Sequence, residues 1–575
     1  MEFNVNEVPF SRFGAYMAFS VVPPVWHQPG LLLRTMQGAF SSLEVFRVEP
    51  LREGRPVPYR MTATPTLLTL EAEGGRVDIC FAGTDVVRLR AQGLGLRLNS
   101  ISPRGPYAFP VDGGRWQVNS APNRTQYILT PLRGSLQVDA PHIVQTQDAR
   151  KPHVEPRLPL VIADFLPDSD GLCEAAIEEF ITTSAAPALD ASFDGCVRGA
   201  EAEWKAWLKA TPALPERYVK AAELAMYVNW SAAVKPSGNV RRPTMLMSKN
   251  WMVQCWSWDH CFNAIALSYR NPDLAWDQLM TLFDHQDEHG ALPDAISAPG
   301  ATRNFCKPPI HGWTLAKMMK SRSLLTDRRL EEIYRPLCRW TDWWMKDRDC
   351  DGDGLPEYHH GNDSGWDNAT VYDGGFPATS PDLPAYLIVQ MDTLCTLAAR
   401  LGRDRDAQRW KARAGELATR MVERLWNGRQ FVTRKAFTGD VFPEGDSLLN
   451  HMAIVAGKRL PKDVRAKIAE ALAPDGRFIT ACGPATESPR SPLYVPDGYW
   501  RGPIWGSETV LLVDGLARAG FRQQAREIAR RYCDMCLKSG FAENFNADTG
   551  EPLRDKAYTW GSSAYLILAH EFLRG

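Results

Sequence analysis

From Met1 to about Ser184, apolar and polar residues alternate in short runs that end in Gly, Pro or Asp. Examples are TLLTLEAEGGRVDICFAG, VVRLRAQGLGLRLNS and RWQVNSAPNRTQYILTPLRGSLQVDA. A period of two with turn residues between the runs predicts strands, and a series of them predicts an antiparallel β-sandwich over residues 1–184. The stretch TTSAAPALDASFDG, from Thr182 to Gly195, is rich in small residues and carries a proline, and it reads as a linker. The next stretch, AEAEWKAWLKATPALP, spaces its apolar residues as one face of a helix. Residues 185–214 are therefore expected to be a linker and bracing helix.

Beyond Pro215 the period changes from two to that of a helix. Twelve helical segments begin near Pro215, Trp258, Pro272, Ile310, Asp327, Pro381, Arg403, Glu444, Pro461, Arg501, Arg522 and Thr559. Several open on proline, whose missing N–H is harmless in a first turn. Taken as outer and inner members of six pairs, they predict an (α/α)6 barrel over residues 215–575 and a mainly α chain. The loops leading into the inner members hold the aromatic and charged clusters CWSWDH, RNFCKPPIHGW, GNDSGWDN, VFPEGD, PDGYWRGPIW and AENFNADTGEPLRDKAYTW. Six such loops on one rim would build one pocket.

Composition narrows the chemistry. At 575 residues the chain exceeds the ~250 to 300 at which one core stops growing, in keeping with two domains. A net charge of −1 points away from nucleic acid and other polyanions. The 19 Trp offer flat faces that suit cores and sugar rings alike. The 12 Cys follow no disulfide or zinc spacing, and Cys533 and Cys536 read as two cysteines on one helix face. The polar start MEFNVNEVPFSRFG and the lack of a ~20-residue apolar run predict a cytoplasmic protein with no membrane partner. Nothing in the sequence fixes an oligomeric state.

The loop GNDSGWDNAT, Gly361 to Thr370, sets Asp363 and Asp367 among Gly, Ser, Asn and Trp366. A carboxyl beside an indole can have its proton affinity raised by apolar contact, as a general acid requires. Acetal hydrolysis needs a second carboxyl across the sugar, and Glu543 precedes the twelfth helix, opposite Asp367, which precedes the sixth. That placement leaves room for a water and favours inversion. Asp259, with Trp256 and Trp258 in WSWD, reads either as a helix-dipole partner or as a ligand for sugar hydroxyls. His289, Asp294, Lys307, His311 and Trp313 could add hydrogen-bonding groups, and Tyr499, Trp500, Arg501 and Trp505 combine stacking faces with a cation. In DCDGDGLPE, Asp349, Asp351, Asp353 and Glu357 suggest a structural Ca²⁺ loop, although His360 stands where an EF-hand acid would be. The alternative there is a solvated acidic turn. The chemistry itself requires no cofactor.

Taken in order, SWDHCF, CKPPIHGW, SGWDN, GYWRGPIW, AENFNADTGEP and YTWGSS resemble the motif series of glycoside hydrolase family 63. That family of processing α-glucosidases includes mannosylglycerate and glucosylglycerate hydrolases. The resemblance runs from about Pro215 to the C-terminus. It implies an (α/α)6 barrel with an N-terminal β-domain, and exo-acting hydrolysis of an α-glycoside with inversion. It also implies Asp367 as general acid, Glu543 as general base and Asp259 in the innermost subsite, with Trp500, Arg501, Trp505 and Trp560 around a small carbohydrate; Tyr558 of YTWGSS is a further candidate binding residue. Two positions depart from the family pattern: Lys307 stands where relatives often have Gln, and Glu508 and Thr509 stand after GPIW where an Asn usually follows. A trehalase-like hydrolase and a non-catalytic sugar-binding protein on the same fold are the rival readings.

Overall fold

The computed structural model describes residues 1–21, 30–38, 43–101, 106–140, 160–321, 324–442 and 444–574. Parts of the expected sandwich, and Pro443 of VFPEGD, lie outside the described residues.

Among the described residues, fifteen strands between Met17 and Phe180 form two sheets, and every pairing within them is antiparallel. One sheet runs in the order Met17–Ser20, Leu32–Thr35, Glu44–Arg52, Gly95–Ser100, Ile162–Leu166, Ser135–Asp139, with Arg55–Pro56 folded back on Glu44–Arg52. The other runs Tyr107–Pro110, Trp116–Ser120, Thr125–Arg133, Leu172–Phe180, Val86–Gln92, Gly75–Phe81, Leu68–Ala72, Tyr59–Ala63. Alternate residues of both, among them Phe46, Val48, Leu98 and Phe165 from the first and Val77, Ile79, Leu129 and Ile177 from the second, meet in one apolar core.

Helix α1 (Phe193–Leu208) begins where Ser192 accepts the Gly195 N–H. Its first turn packs Phe193 and Cys196 against Cys80 of the sandwich, while Trp204 and Trp207 enter the helical core. It therefore bridges the two parts.

The remaining helices are α2 (Glu216–Ala232), α3 (Asp259–Ser268), α4 (Pro272–Met280), α5 (His311–Met318), α6 (Asp327–Asp347), the single turn α7 (Gly361–Ser364), α8 (Asp382–Arg400), α9 (Asp404–Leu425), α10 (Lys462–Ala471), α11 (Gly506–Ala519), α12 (Arg522–Ser539) and α13 (Thr559–Phe572). A 3-10 run, Leu448–Arg459, lies between α9 and α10. Contacts run from α3 to α5, α8, the 3-10 run, α11, α13 and back to α3, which closes an inner ring of six. The sequence reads this way locally. All of α3 is buried, whereas α6 buries only Leu330, Ile333, Tyr334, Leu337, Trp340, Thr341 and Trp344, one face at helical spacing.

Three expectations are corrected. The eighth segment is a 3-10 run that starts at Leu448 rather than Glu444, because Glu487 holds Asp446 and the Ser447 side chain caps Leu449. The tenth starts at Gly506 rather than Arg501, since Pro503 disfavours helix in the residue before it and Ile504–Trp505 pairs as a strand with Asn544–Phe545. The description "mainly α" fits only the part beyond residue 193, because strands fill the first part of the chain. No helix among the described residues is long and apolar enough to cross a membrane.

At one end of the ring the buried Lys317 Nζ donates to Asp514 Oδ1 (2.9 Å) and Glu571 Oε2 (2.8 Å), tying α5 to α11 and α13. Lys317→Met removes the ammonium from the buried Asp514 and the part-buried Glu571, which keeps the exposed Lys320 at 3.2 Å. A loss of about 3–5 kcal/mol in unfolding free energy is expected in denaturant titration, and a change within error would remove this link from the account of barrel closure.

Candidate active site

Two small sheets tie the loops at one rim of the barrel. Cys255–Trp256 pairs with Ala295–Ser297, which pairs with Gly300–Thr302; Ile504–Trp505 pairs with Asn544–Phe545, which pairs with Pro552–Leu553. Inner helices start at this rim: Asp259 is the first residue of α3, Trp505 caps α11 and Tyr558 caps α13. Their positive dipole ends face the loops.

Asp259, Asp367 and Glu543 come from three separate loops and converge on Tyr499, which hydrogen-bonds Asp367 and lies in the field of all three. The Tyr558 hydroxyl donates to Asp259 Oδ1 (2.9 Å). Burial raises all three carboxyls: Asp259 to about 7, against the pull of Lys307 and Tyr558; Glu543 to about 8, with Asp555 adding to the rise; and Asp367 above its ordinary range, with Lys307 opposing. Lys307 is buried, with Nζ 3.2 Å from Asp294 Oδ1 and donating to the Asn362 carbonyl (2.6 Å). Burial alone would lower its affinity for a proton, but Asp294, Asp367 and Asp259 reverse this and leave it raised. The arrangement is one ammonium among several carboxyls whose proton affinities burial raises.

Indoles make the wall. Trp500 and Trp505 stack at 3.8 Å with planes 6° apart, Trp366 lies 4.9 Å from Trp500, and Trp258 lies 6.4 Å from Trp500 and 6.1 Å from Trp560. Tyr558 lies 4.8 Å from Trp560, whose Nε1 donates to the Glu543 carbonyl (2.9 Å). The ring nitrogens of Trp366 and Trp500 are buried without a partner. Buried donors of this kind are groups that a ligand rich in hydroxyls can satisfy.

Other expected residues stand elsewhere. His289 is exposed beside Glu288, in a turn held by Asp287. His311 packs between His260, Phe283 and Trp340, and Trp313 donates to Asp514 (2.8 Å) in the barrel interior, so both belong to the wall. Trp256 sits in the small sheet, half-buried. The Arg501 guanidinium is held by the Asn368 carbonyl (2.8 Å) and Asp373.

The two aspartates of GNDSGWDNAT differ. Asp363 accepts from Cys306 N (3.1 Å), His359 N (3.1 Å) and Arg348 Nη1 (2.9 Å), which makes it a structural anchor. The αL turn at Gly365, φ 72°, then seats that glycine against the Trp258 ring, where a Cβ would clash, two residues before Asp367. Sequence reasoning missed Asn368, whose side chain accepts from Trp500 N (2.9 Å) and donates to the Gly498 carbonyl (3.0 Å), locking two rim loops together. It also missed Asp555, whose carbonyl accepts the Glu543 N–H (2.7 Å), and Arg554, 5.0 Å over the Tyr499 ring. All three lie inside clusters quoted from the sequence, but as partners of backbone atoms and a ring nothing in those strings marks what they hold.

In DCDGDGLPE, Asp349, Asp351 and Asp353 bring oxygens within 4.8 Å of one another. Each also accepts a backbone N–H: Asp349 from Gly354, Asp351 from Asp353 and Asp353 from Leu355. Glu357 does not join them. It is fully buried and accepts from Cys350 N (2.8 Å).

Residues 252–561 match the family model described as mannosylglycerate hydrolase MGH1-like glycoside hydrolase domain. The mannosylglycerate hydrolase of Rubrobacter radiotolerans is 23% identical over 406 residues, 55% of this chain and 90% of that protein. The glucosylglycerate hydrolase of Mycolicibacterium hassiacum is 23% identical over 418 residues, 54% and 90% of the two chains. Among solved structures, a family 63 mannosylglycerate hydrolase from Thermus thermophilus in complex with Tris and D-glycerate shares the fold at TM-score 0.51 and 18% identity, over 61% of this chain and 98% of its own. A bacterial glucoamylase complexed with acarbose aligns at TM-score 0.65 and 13% identity over 98% of this chain and 94% of its own, so the likeness in fold includes the β-sandwich.

If Asn368 locks the rim, Asn368→Ala should raise amide hydrogen exchange together in residues 359–373 and 495–502. Exchange that rises in one segment alone, or in neither, would deny that coupling.

Proposed function

The chain belongs to the mannosylglycerate hydrolase MGH1-like family of glycoside hydrolases, and from that premise we propose that it is an inverting, exo-acting hydrolase of a small α-glucoside or α-mannoside. The observation that supports this reading best is the convergence of Asp259, Asp367 and Glu543 on Tyr499 from three separate loops.

In this reading the bond between the anomeric carbon and the leaving oxygen breaks as Asp367 gives that oxygen a proton. Water attacks the opposite face of the sugar and its proton passes to Glu543, the two carboxyls working across the ~6.5 to 9.5 Å that an intervening water requires. Asp259 holds a sugar hydroxyl while Trp258, Trp366, Trp500 and Trp560 surround the ring. The relatives' names favour a glycosyl-glycerate as substrate. Lys307 is already matched to Asp294 and Asn362, so Arg554, on the Tyr499 ring and paired with the exposed Asp497, is the better cation for an acidic leaving group. Calcium in the loop of Asp349, Asp351 and Asp353 would act on stability alone.

Asp367→Asn and Glu543→Gln should each lower kcat by about 10²–10⁴-fold with folding intact, and an α-glycosyl fluoride, which needs no acid, should largely rescue the first but not the second. Near-normal turnover in either variant would remove that residue, and an NMR-detected product anomer matching the substrate would exclude inversion. Because a raised base ionises only as pH climbs, the acid limb of kcat/KM should lie above the ordinary carboxylate range and near 8 if Glu543 governs it; Glu543→Gln should abolish that limb. Chelation with EGTA should lower Tm if calcium is held, and an unchanged Tm would leave the acidic loop to its backbone hydrogen bonds.

A further inference from the structure

Ahead of Asp363 the chain runs extended, with Tyr358 bridged to Ala378. The period of two sends Tyr358 inward, where its hydroxyl donates to Asp382 Oδ2 (3.0 Å), and puts Glu357 and His359 on the opposite face. The Arg348 carbonyl accepts the Glu357 N–H (2.6 Å) and Glu357 accepts the Cys350 N–H, so the loop folds back and lays Cys350 over that same face. The Cys350 Sγ stands 3.2 Å from His359 Nε2, and that nitrogen stands 3.9 Å from Glu357 Oε2. One ligand atom from each of the three lies within 4.8 Å of the others.

We propose that Cys350, Glu357 and His359 form a binding site for a thiophilic divalent cation of the zinc type. Around a tetrahedral ion with Zn–S ~2.3 Å and Zn–N or Zn–O ~2.0–2.2 Å, neighbouring ligand atoms stand roughly 3.3–3.6 Å apart, close to the 3.2 Å and 3.9 Å by which His359 Nε2 is separated from Cys350 Sγ and Glu357 Oε2. Thiolate and imidazole select a soft ion, whereas the all-oxygen set of Asp349, Asp351 and Asp353 on the other side of the same loop would suit a hard one. On binding, the Cys350 S–H loses its proton to water and a sulfur–metal bond forms. His359 offers the Nε2 lone pair, and Glu357 offers a carboxylate oxygen. Two negative ligands then balance the ion's charge, and nothing is oxidised. Cys350 and His359 are exposed while Glu357 is buried, so an ion can arrive from solvent and keep a water as its fourth ligand. His359 also donates its N–H to Asp363, and the ion would thereby fix the start of the loop that carries Asp367. The site stands independently of the catalytic reading.

The test uses the full-length chain without a histidine tag, stripped of metal and kept reduced with a phosphine. It is titrated with Zn²⁺ against a chromogenic chelator and, separately, with Co²⁺. The expected result is one tight equivalent of Zn²⁺ and a thiolate-to-cobalt charge-transfer band. Cys350→Ser and His359→Ala should each remove the band or weaken zinc binding by more than the ~10- to 100-fold that loss of an outer partner costs, with Asp351→Asn unchanged. Absence of tight zinc binding, absence of the band, or unaltered binding in the Cys350 and His359 variants would each overturn the proposal and leave only a thiol–imidazole hydrogen bond.

Discussion

The rim of the barrel is governed by a shortage of positive charge. Lys307 is surrounded by Asp259, Asp294 and Asp367, with Glu543 close to Asp259. One buried ammonium cannot hold all of these groups ionised in a medium where charge is costly. Protons therefore stay on some of the carboxyls at pH values where exposed carboxyls would have lost them. Hydrolysis of an acetal asks for this state, a group able to give a proton beside one able to take it. The helix N-termini at the same rim soften the repulsion without supplying a second proton donor.

Such a centre needs a rigid surround, and the chain supplies it from both parts. The sandwich side contributes Arg34, whose Nη1 donates to the Asn250 carbonyl (2.6 Å), and the Glu7 carbonyl, which accepts from Asn250 Nδ2 (2.9 Å). Asp555 in turn accepts from Asn250 Nδ2 (3.3 Å) and Trp251 N (3.1 Å), and its carbonyl holds the Glu543 backbone. A continuous path of hydrogen bonds thus joins the first strands to the residue proposed as base. Asn368, next to Asp367 in the chain, ties that loop to Trp500 and Gly498.

Much of this was legible in the sequence. The switch from period two to helical spacing marked the two parts, and buriedness on all sides of α3 or α13 against one-sided α6 and α9 follows directly from their residue patterns. The rim clusters were legible too, because indoles and carboxyls concentrate in loops that lead into inner helices. What the sequence left hidden was how each side chain is engaged. Nothing in CKPPIHGW distinguishes Lys307, which reaches the rim, from His311 and Trp313, which turn into the wall one helical turn later. Likewise Asp363 and Asp367 look alike until the backbone donors around Asp363 are seen. Spacing foretold which residues share a loop. It could not foretell which backbone groups from distant segments would already claim them.

Lys249 shows what joining the two parts entails. Its buried ammonium donates to Ser11 Oγ (3.0 Å), the Ala15 carbonyl (2.6 Å) and the Ala233 carbonyl (3.3 Å), and burial pulls its proton affinity well down. Two of those three acceptors lie within the first twenty residues. The bonds to Ser11 and Ala15 span 238 and 234 residues of chain, so this joint can close only after everything between has been made. Any other ring joined to this sandwich would have to supply a donor for the Ser11 hydroxyl and the Ala15 carbonyl, which are buried at the seam and matched here by one lysine.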